Sequence, residues 1–92
     1  MEYQITGAVQ LFPQEGGWYY VTVPRTISQE LNHVADRGLV AIRASLGKAS
    51  WNTSLMPMGD GSHFVALNAK VRKANNIGVG DRVVVNFQVR NR

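Results

Sequence analysis

Apolar and polar residues alternate along most of the chain. Tyr3, Ile5, Gly7, Val9 and Leu11 interleave with Gln4, Thr6, Ala8 and Gln10. Period two is the mark of a half-buried strand. Pro13 through Gly17 break it. Trp18 to Val23 is aromatic and β-branched, a second strand, and Pro24 ends it because proline cannot donate to a central ladder. Over residues 26–37 the spacing turns helical. Thr26 is placed to cap the start, with Gln29 three residues on. Ile27, Leu31 and Val34 or Ala35 share one face, and Gly38 supplies the stop. Alternation resumes at Val40, Ile42, Ala44 and Leu46, and Gly47-Lys48 turns the chain. Ser50–Met56 presents Trp51, Thr53 and Leu55 on one side. His63–Leu67 is the fifth strand and Asn68–Asn75 a short helical turn. Gly78 and Gly80 bracket another reversal. Arg82–Arg90 is the sixth strand, with Val83, Val85, Phe87 and Val89 on one face, and Asn91-Arg92 frays.

The order β-β-α-β therefore occurs twice, which prompts a search for a repeat. A shift of 44 residues aligns the halves without a gap. LFPQEGGWYYV (11–21) lies over LMPMGDGSHFV (55–65), matching Leu11 to Leu55, Pro13 to Pro57, Gly17 to Gly61 and Val21 to Val65. Neither half could bury its strand faces alone. Two halves related by a pseudo-twofold can close one barrel and remove exposed edges. The expected fold is thus mainly β. It is a small closed barrel of about six strands with one helix and one short helical turn, a single domain over residues 1–92 with repeat units 3–46 and 47–90. Its expected core is Ile5, Val9, Leu11, Val21, Val23, Ile27, Leu31, Val40, Ile42, Leu55, Val65, Leu67, Val71, Ile77, Val83 and Val85.

Size fits this picture, since 92 residues make one small domain. Cysteine is absent, which excludes disulfides and thiolate metal sites and leaves stability to the core. Met1-Glu2-Tyr3-Gln4 has neither a basic start nor an apolar stretch, and no apolar run reaches membrane-spanning length. The expectation is a cytoplasmic protein with no membrane association. Charge changes the picture more. The net charge is +4, but residues 1–69 carry four basic and five acidic groups, whereas residues 70–92 carry six basic groups against Asp81 alone. Such asymmetry points to a surface for polyanions or to a solvated face with a basic tail.

Catalytic chemistry finds little purchase. The two histidines, His33 and His63, stand in no Gly-x-Ser-x-Gly elbow and no His-Glu-x-x-His pair. Asp60 and His63 are two ligands where a metal needs three or four. Gly47-Lys48-Ala49-Ser50 lacks the glycine and the hydroxyl of a P-loop, which would fall at Ile42 and Ala49. Gly59-Asp60-Gly61 does not lead into a helix and reads as a turn between strands. No catalytic residue, metal or cofactor is assigned, and the protein is expected not to be an enzyme.

Two segments carry a resemblance. VTVPRTISQEL (21–31) and VALNAKVRKANNIGVGDRVVV (65–85) resemble the strand, proline, basic helix, glycine-aspartate turn, strand signature of AbrB-like swapped-hairpin barrels. The second half keeps Gly80-Asp81 but has Asn68 in the proline's place; the first keeps Pro24 but lacks the turn. Nearly the whole chain, most specifically SLMPMGDGSHFVALNAKVRKANNIGVGD (54–81), is similar to domain-of-unknown-function family 1905. Ala69 stands where that family usually has a lysine. The resemblance implies a double-split β-barrel, in which one chain supplies what AbrB-like proteins build from two, and no established activity.

Three functional readings follow. The first is a binding or interaction module, a monomer or weak homodimer with an unidentified partner. The second is sequence-independent nucleic-acid binding through Lys70, Arg72, Lys73, Arg82 and Arg90. Lys70 and Lys73 would share the open side of a helix while Val71 packs inward. The third is a small molecule held at a barrel end by Trp18 and Trp51, whose rings could instead be core packing.

Overall fold

Strand β1 (Glu2–Ala8) and strand β2 (Gln10–Leu11) are two pieces of one run, interrupted at Val9. The computed structural model describes residues 2–13 and 17–90. Part of the break read over Pro13–Gly17, and the whole of Asn91-Arg92, lie outside the described residues. After β2 come β3 (Tyr19–Val23), α1 (Arg25–Leu31), a 3₁₀ turn (Asn32–Val34), β4 (Val40–Leu46), β5 (Ala49–Pro57), β6 (His63–Ala66), α2 (Ala69–Asn75) and β7 (Arg82–Val89).

All pairings are antiparallel, in the order β1-β7-β4-β5-β6-β3-β2. The first and last members of that order are the two pieces of the opening run. The chain itself therefore joins the edges, and the sheet curls into a nearly closed barrel. Val9 stays tied to the approach to β7, donating to the Asp81 carbonyl (2.8 Å) and accepting from the Gly80 amide (2.9 Å). Among the described residues seven strands stand where about six were expected, because the first run divides at Val9.

Inside lies one apolar core. Ile5, Val21, Leu31, Ile42, Leu55, Val65 and Val85 are at most 2% exposed, and Val9, Val40, Leu67, Val71 and Val83 join them. Leu11 departs from expectation at 42% exposed. The interruption at Val9 ends the alternation, so β2 does not inherit the inward face of β1. Ile27 and Ile77 are only partly buried at the core's margin. Tyr20 and Phe64 are buried although they occupy the alternate positions between core residues of β3 and β6. Phe12 covers them: its ring stacks on Tyr20 at 4.0 Å and meets Phe64 edge-on at 5.1 Å.

The helix starts differ from the expected capping. Pro24, not Thr26, is the N-cap of α1, and no side chain caps it. Proline fits there because its fixed φ suits the entry and its missing N–H is one the helix leaves unpaired anyway. The Pro24 carbonyl accepts from the amides of Ile27 (3.0 Å) and Ser28 (3.1 Å). The regular helix stops at Leu31, short of residue 37. Gly38 is no helix stop either. Arg37 (φ 56°) and Gly38 (φ 82°) form a two-residue reversal, with Asp36 and Leu39 exchanging both backbone hydrogen bonds (2.8 and 3.0 Å). Two successive positive φ values are what such tight hairpin turns require. In α2, Asn68 is the N-cap, its Oδ1 accepting from the Val71 amide at 2.9 Å.

The 44-residue offset carries α1 onto α2 and the start of β3 onto the start of β6. Pro24 and Asn68, equivalent by that offset, are both N-caps. In the β3–β6 ladder Val21 faces its own equivalent, Val65. In the β4–β7 ladder Ile42 faces Val89 and Ser45 faces Asn86, a reciprocal exchange of equivalents. The opening run breaks this pattern. Ala44 pairs with Trp51, yet Gln88 pairs with Glu2 instead of Gly7.

The β5–β6 reversal closes on a hydrogen bond from the Met58 amide to the Ser62 carbonyl (2.9 Å). Arg25 binds the Asp60 carbonyl (3.0 Å) and its carboxylate (3.4 Å), both side chains being 59% exposed. The Asp60 carboxyl is held below the usual carboxylate range, first by the Ser62 hydroxyl, then by the Ser62 amide, with lost hydration opposing and Arg25 assisting. A depressed pKa stabilises the fold above the unfolded-state value, and that contribution is lost as pH falls through the folded value. Ser62→Ala is expected to move the Asp60 midpoint upward in a carboxyl-carbon NMR titration. An unmoved midpoint would mean the hydroxyl is not the principal cause.

Candidate functional site

Strand β5 serves two neighbours in turn. Ala49 to Leu55 pair with β4, and only Met56 and Pro57 pair with β6. The barrel wall therefore splits between the first part of β5 and β6. A cleft of about 330 Å³ opens in this region, with Trp18, Tyr19, Trp51, Thr53, Asn68 and Arg72 in its lining.

Local structure places each of these side chains. Alternation along β5 puts Trp51 and Thr53 on the face of buried Leu55, and Trp51 packs partly against the core. Trp18, at the entry to β3, is 45% exposed. Its ring meets Phe64 edge-on at 6.3 Å, so the Phe12–Tyr20–Phe64 cluster supports it at the rim. Arg72 lies one turn into α2. Its Nε donates to the Leu67 carbonyl (3.1 Å), and its guanidinium carbon sits 3.8 Å from the Tyr19 ring centroid. This is cation–π geometry. Asn68 spends its Oδ1 on the helix cap. Among the described residues the Nη groups of Arg72, the Asn68 amide nitrogen and the Thr53 hydroxyl have no protein hydrogen-bond partner, and Arg72 has no carboxylate partner.

The two sequence-derived residue sets fare differently. Trp18 and Trp51 come together in one cleft. The basic set divides. Lys70 and Lys73 stand exposed on α2 while Val71 is buried, but Arg72 folds back onto Tyr19. Arg82 opens β7 and Arg90 follows its far end, about 26 Å away at ~3.3 Å per residue. Tyr19 and Asn68 were not singled out from sequence. The signal for Asn68 was its place at the head of a helical turn, which puts Arg72 one turn further on.

Asp60 and His63 serve separate ends. Asp60 binds Arg25 at the surface, whereas His63 is buried with its Nε2–H donating to the Gly38 carbonyl at 3.0 Å. Among the described residues no three metal-ligating side chains gather, and no helix is long and apolar enough to cross a membrane.

The family model described as Domain of unknown function (DUF1905) matches residues 6–87. The chain belongs to this family. No curated protein matches it. The DUF1905 match spans every strand that borders the cleft and both helices, so the split wall lies within the family domain.

Proposed function

We propose that this DUF1905 domain is a non-catalytic binding module whose ligand is a small molecule seated between Trp18 and Trp51. The observation that carries this reading is the convergence of the two indoles, one rim-exposed and one core-anchored, on a single cleft with Arg72. Ligand pockets combine apolar and aromatic walls with a few placed polar groups. The polar groups here are a guanidinium, an amide and a hydroxyl. They suit holding a ligand, since each offers a hydrogen-bond donor.

A small-molecule screen on the full chain, read by the indole N–H resonances of both tryptophans, tests it. Hits are expected to shift both signals. Trp18→Ala is expected to weaken those hits at least tenfold while leaving the fold intact, because that ring is already half exposed. Hits that move neither indole would remove the cleft from consideration.

Nucleic-acid binding, suggested by the AbrB-like resemblance, draws narrower support from Lys70, Lys73 and Arg82, with Arg72 withdrawn and Arg90 remote. It predicts salt-dependent retention of labelled duplex DNA that Lys73→Glu weakens. Retention indifferent to Lys73→Glu would argue against it.

A further inference from the structure

Arg72 is oriented more closely than a surface cation needs to be. Its Nε is committed to the Leu67 carbonyl and its Cζ lies over the Tyr19 ring. What remains is both Nη groups with two N–H each, and at the end of the guanidinium one N–H from each Nη makes a fork that matches a carboxylate or phosphate edge in a bidentate fashion. The Asn68 amide nitrogen adds a donor beside it, and Thr53 a hydroxyl. These polar side chains in the lining thus offer donors, and a donor set with a fixed positive charge calls for an anionic acceptor. Two indoles share the same lining, and they favour a flat, apolar body. A volume of about 330 Å³ suits a molecule of one or two rings.

The other half of the barrel supplies an independent argument. The 44-residue offset places Ser28 where Arg72 stands, and His63 where Tyr19 stands. Ser28 is 0% and His63 2% exposed. Each keeps one buried polar atom, Ser28 Oγ and His63 Nδ1, without a partner among the described residues. The fold is therefore completed at that position by a small hydroxyl shut away from solvent. It does not need a cation there. The charge of Arg72 in the second repeat unit, and the Tyr19 ring of the first on which it rests, answer to something other than barrel construction.

Building on the binding reading above, we infer that the cleft takes a small molecule with a flat aromatic body and an anionic head group, the head held by Arg72. The shared chemistry is an aryl anion; carboxylate and phosphate are its two sources.

Titrations of the full chain with matched pairs test this. Indole-3-acetate is set against indole-3-acetamide, and phenyl phosphate against phenol, with inorganic phosphate alone as a further probe. The readout is the indole N–H signals of Trp18 and Trp51 and the Nε–H signal of Arg72. At least one aryl anion is expected to bind tenfold or more tighter than its neutral partner. The pair showing the larger ratio identifies the head group. Arg72→Gln is expected to erase the ratio by weakening the anions at least tenfold more than their neutral partners, and Arg72→Lys, which keeps the charge but not the fork, to retain part of it. Neutral partners binding as tightly as both anions would overturn the anionic head and leave the cleft reading standing. Inorganic phosphate matching the aryl anions would overturn the aromatic body. No perturbation of either indole by any probe would remove the cleft reading and this inference together. Should Arg72→Gln unfold, the wild-type ratios and Arg72→Lys decide the question alone.

Discussion

Gly47→Ala is expected to lower the melting temperature by about 12–24 °C, the equivalent of about 3 kcal/mol in a domain of this size. Two costs combine. Gly47 sits at φ +54°, a left-handed conformation that costs a residue with a Cβ about 1–2 kcal/mol. The new Cβ would also overlap Asn75 Oδ1. That side chain cannot move without loss. Its Oδ1 accepts from the Lys48 amide (2.9 Å), and its Nδ2 donates to the carbonyls of Leu46 (3.0 Å) and Val71 (3.1 Å). The amide ties the end of α2 to the β4–β5 turn, and each bond forfeited costs about 1 kcal/mol. Because clash and bonds share one side chain, the effects must not add. Asn75→Ala alone is expected to cost about 2 kcal/mol, yet much less on top of Gly47→Ala. Additive losses in urea unfolding of the four-member cycle would show that the two residues act separately.

Leu31→Ala is expected to cost about 3 kcal/mol, whereas Ser28→Ala, one turn earlier on the same helix, is expected to be neutral or to stabilise by up to about 1 kcal/mol. Both residues are 0% exposed. Burial alone would give them the same sign. Leu31 fills the core beneath α1, and large-to-small changes at such positions cost about 2–5 kcal/mol from lost transfer energy and the cavity left behind. Ser28 buries a hydroxyl with no partner among the described residues. An unpaired buried hydroxyl is itself unfavourable, and alanine is the better helix former. Chemical denaturation of the two variants checks both signs. A loss of more than 1 kcal/mol in Ser28→Ala would mean that the hydroxyl is hydrogen-bonded in solution.

What the sequence disclosed followed from how local its cause was. Val83, Val85 and Phe87 in β7 line the core as alternation predicted, because the ladder with β1 runs unbroken from Arg82 to Gln88 and keeps the period. Leu11 failed because one interruption two residues earlier resets the faces. The α1 boundaries failed because Pro24 outranks Thr26 as an entry residue. Gly38 looks the same in sequence whether it ends a helix or completes a two-residue turn. At the cleft, the tryptophans were recognisable as residue types, and Trp51 and Thr53 shared a face by parity. Their meeting with Trp18 was not legible. It depends on where β5 leaves β6, a fact about pairing across the chain. Arg72 was read as a phosphate contact beside Lys73, since nothing in the helical pattern announces a ring waiting 53 residues upstream.

The ladder between β1 and β7 has a consequence in time. It joins residue 2 to residue 88, so the first strand of this domain to be made finds its partner only when nearly all of the domain has been synthesised. Contacts of such long sequence separation slow folding, because loop closure must precede their reward. Until then β1 offers Tyr3 and Ile5 on an unpaired edge. Co-translational folding can gather the β4–β5–β6 meander first, with α2 joining it, and β7 then docks before barrel closure. Trp51 stands in the part of β5 that β6 leaves unpaired, so its fluorescence would report the early meander, and burial of Tyr3 against Phe87, whose rings stack at 5.2 Å, the final closure.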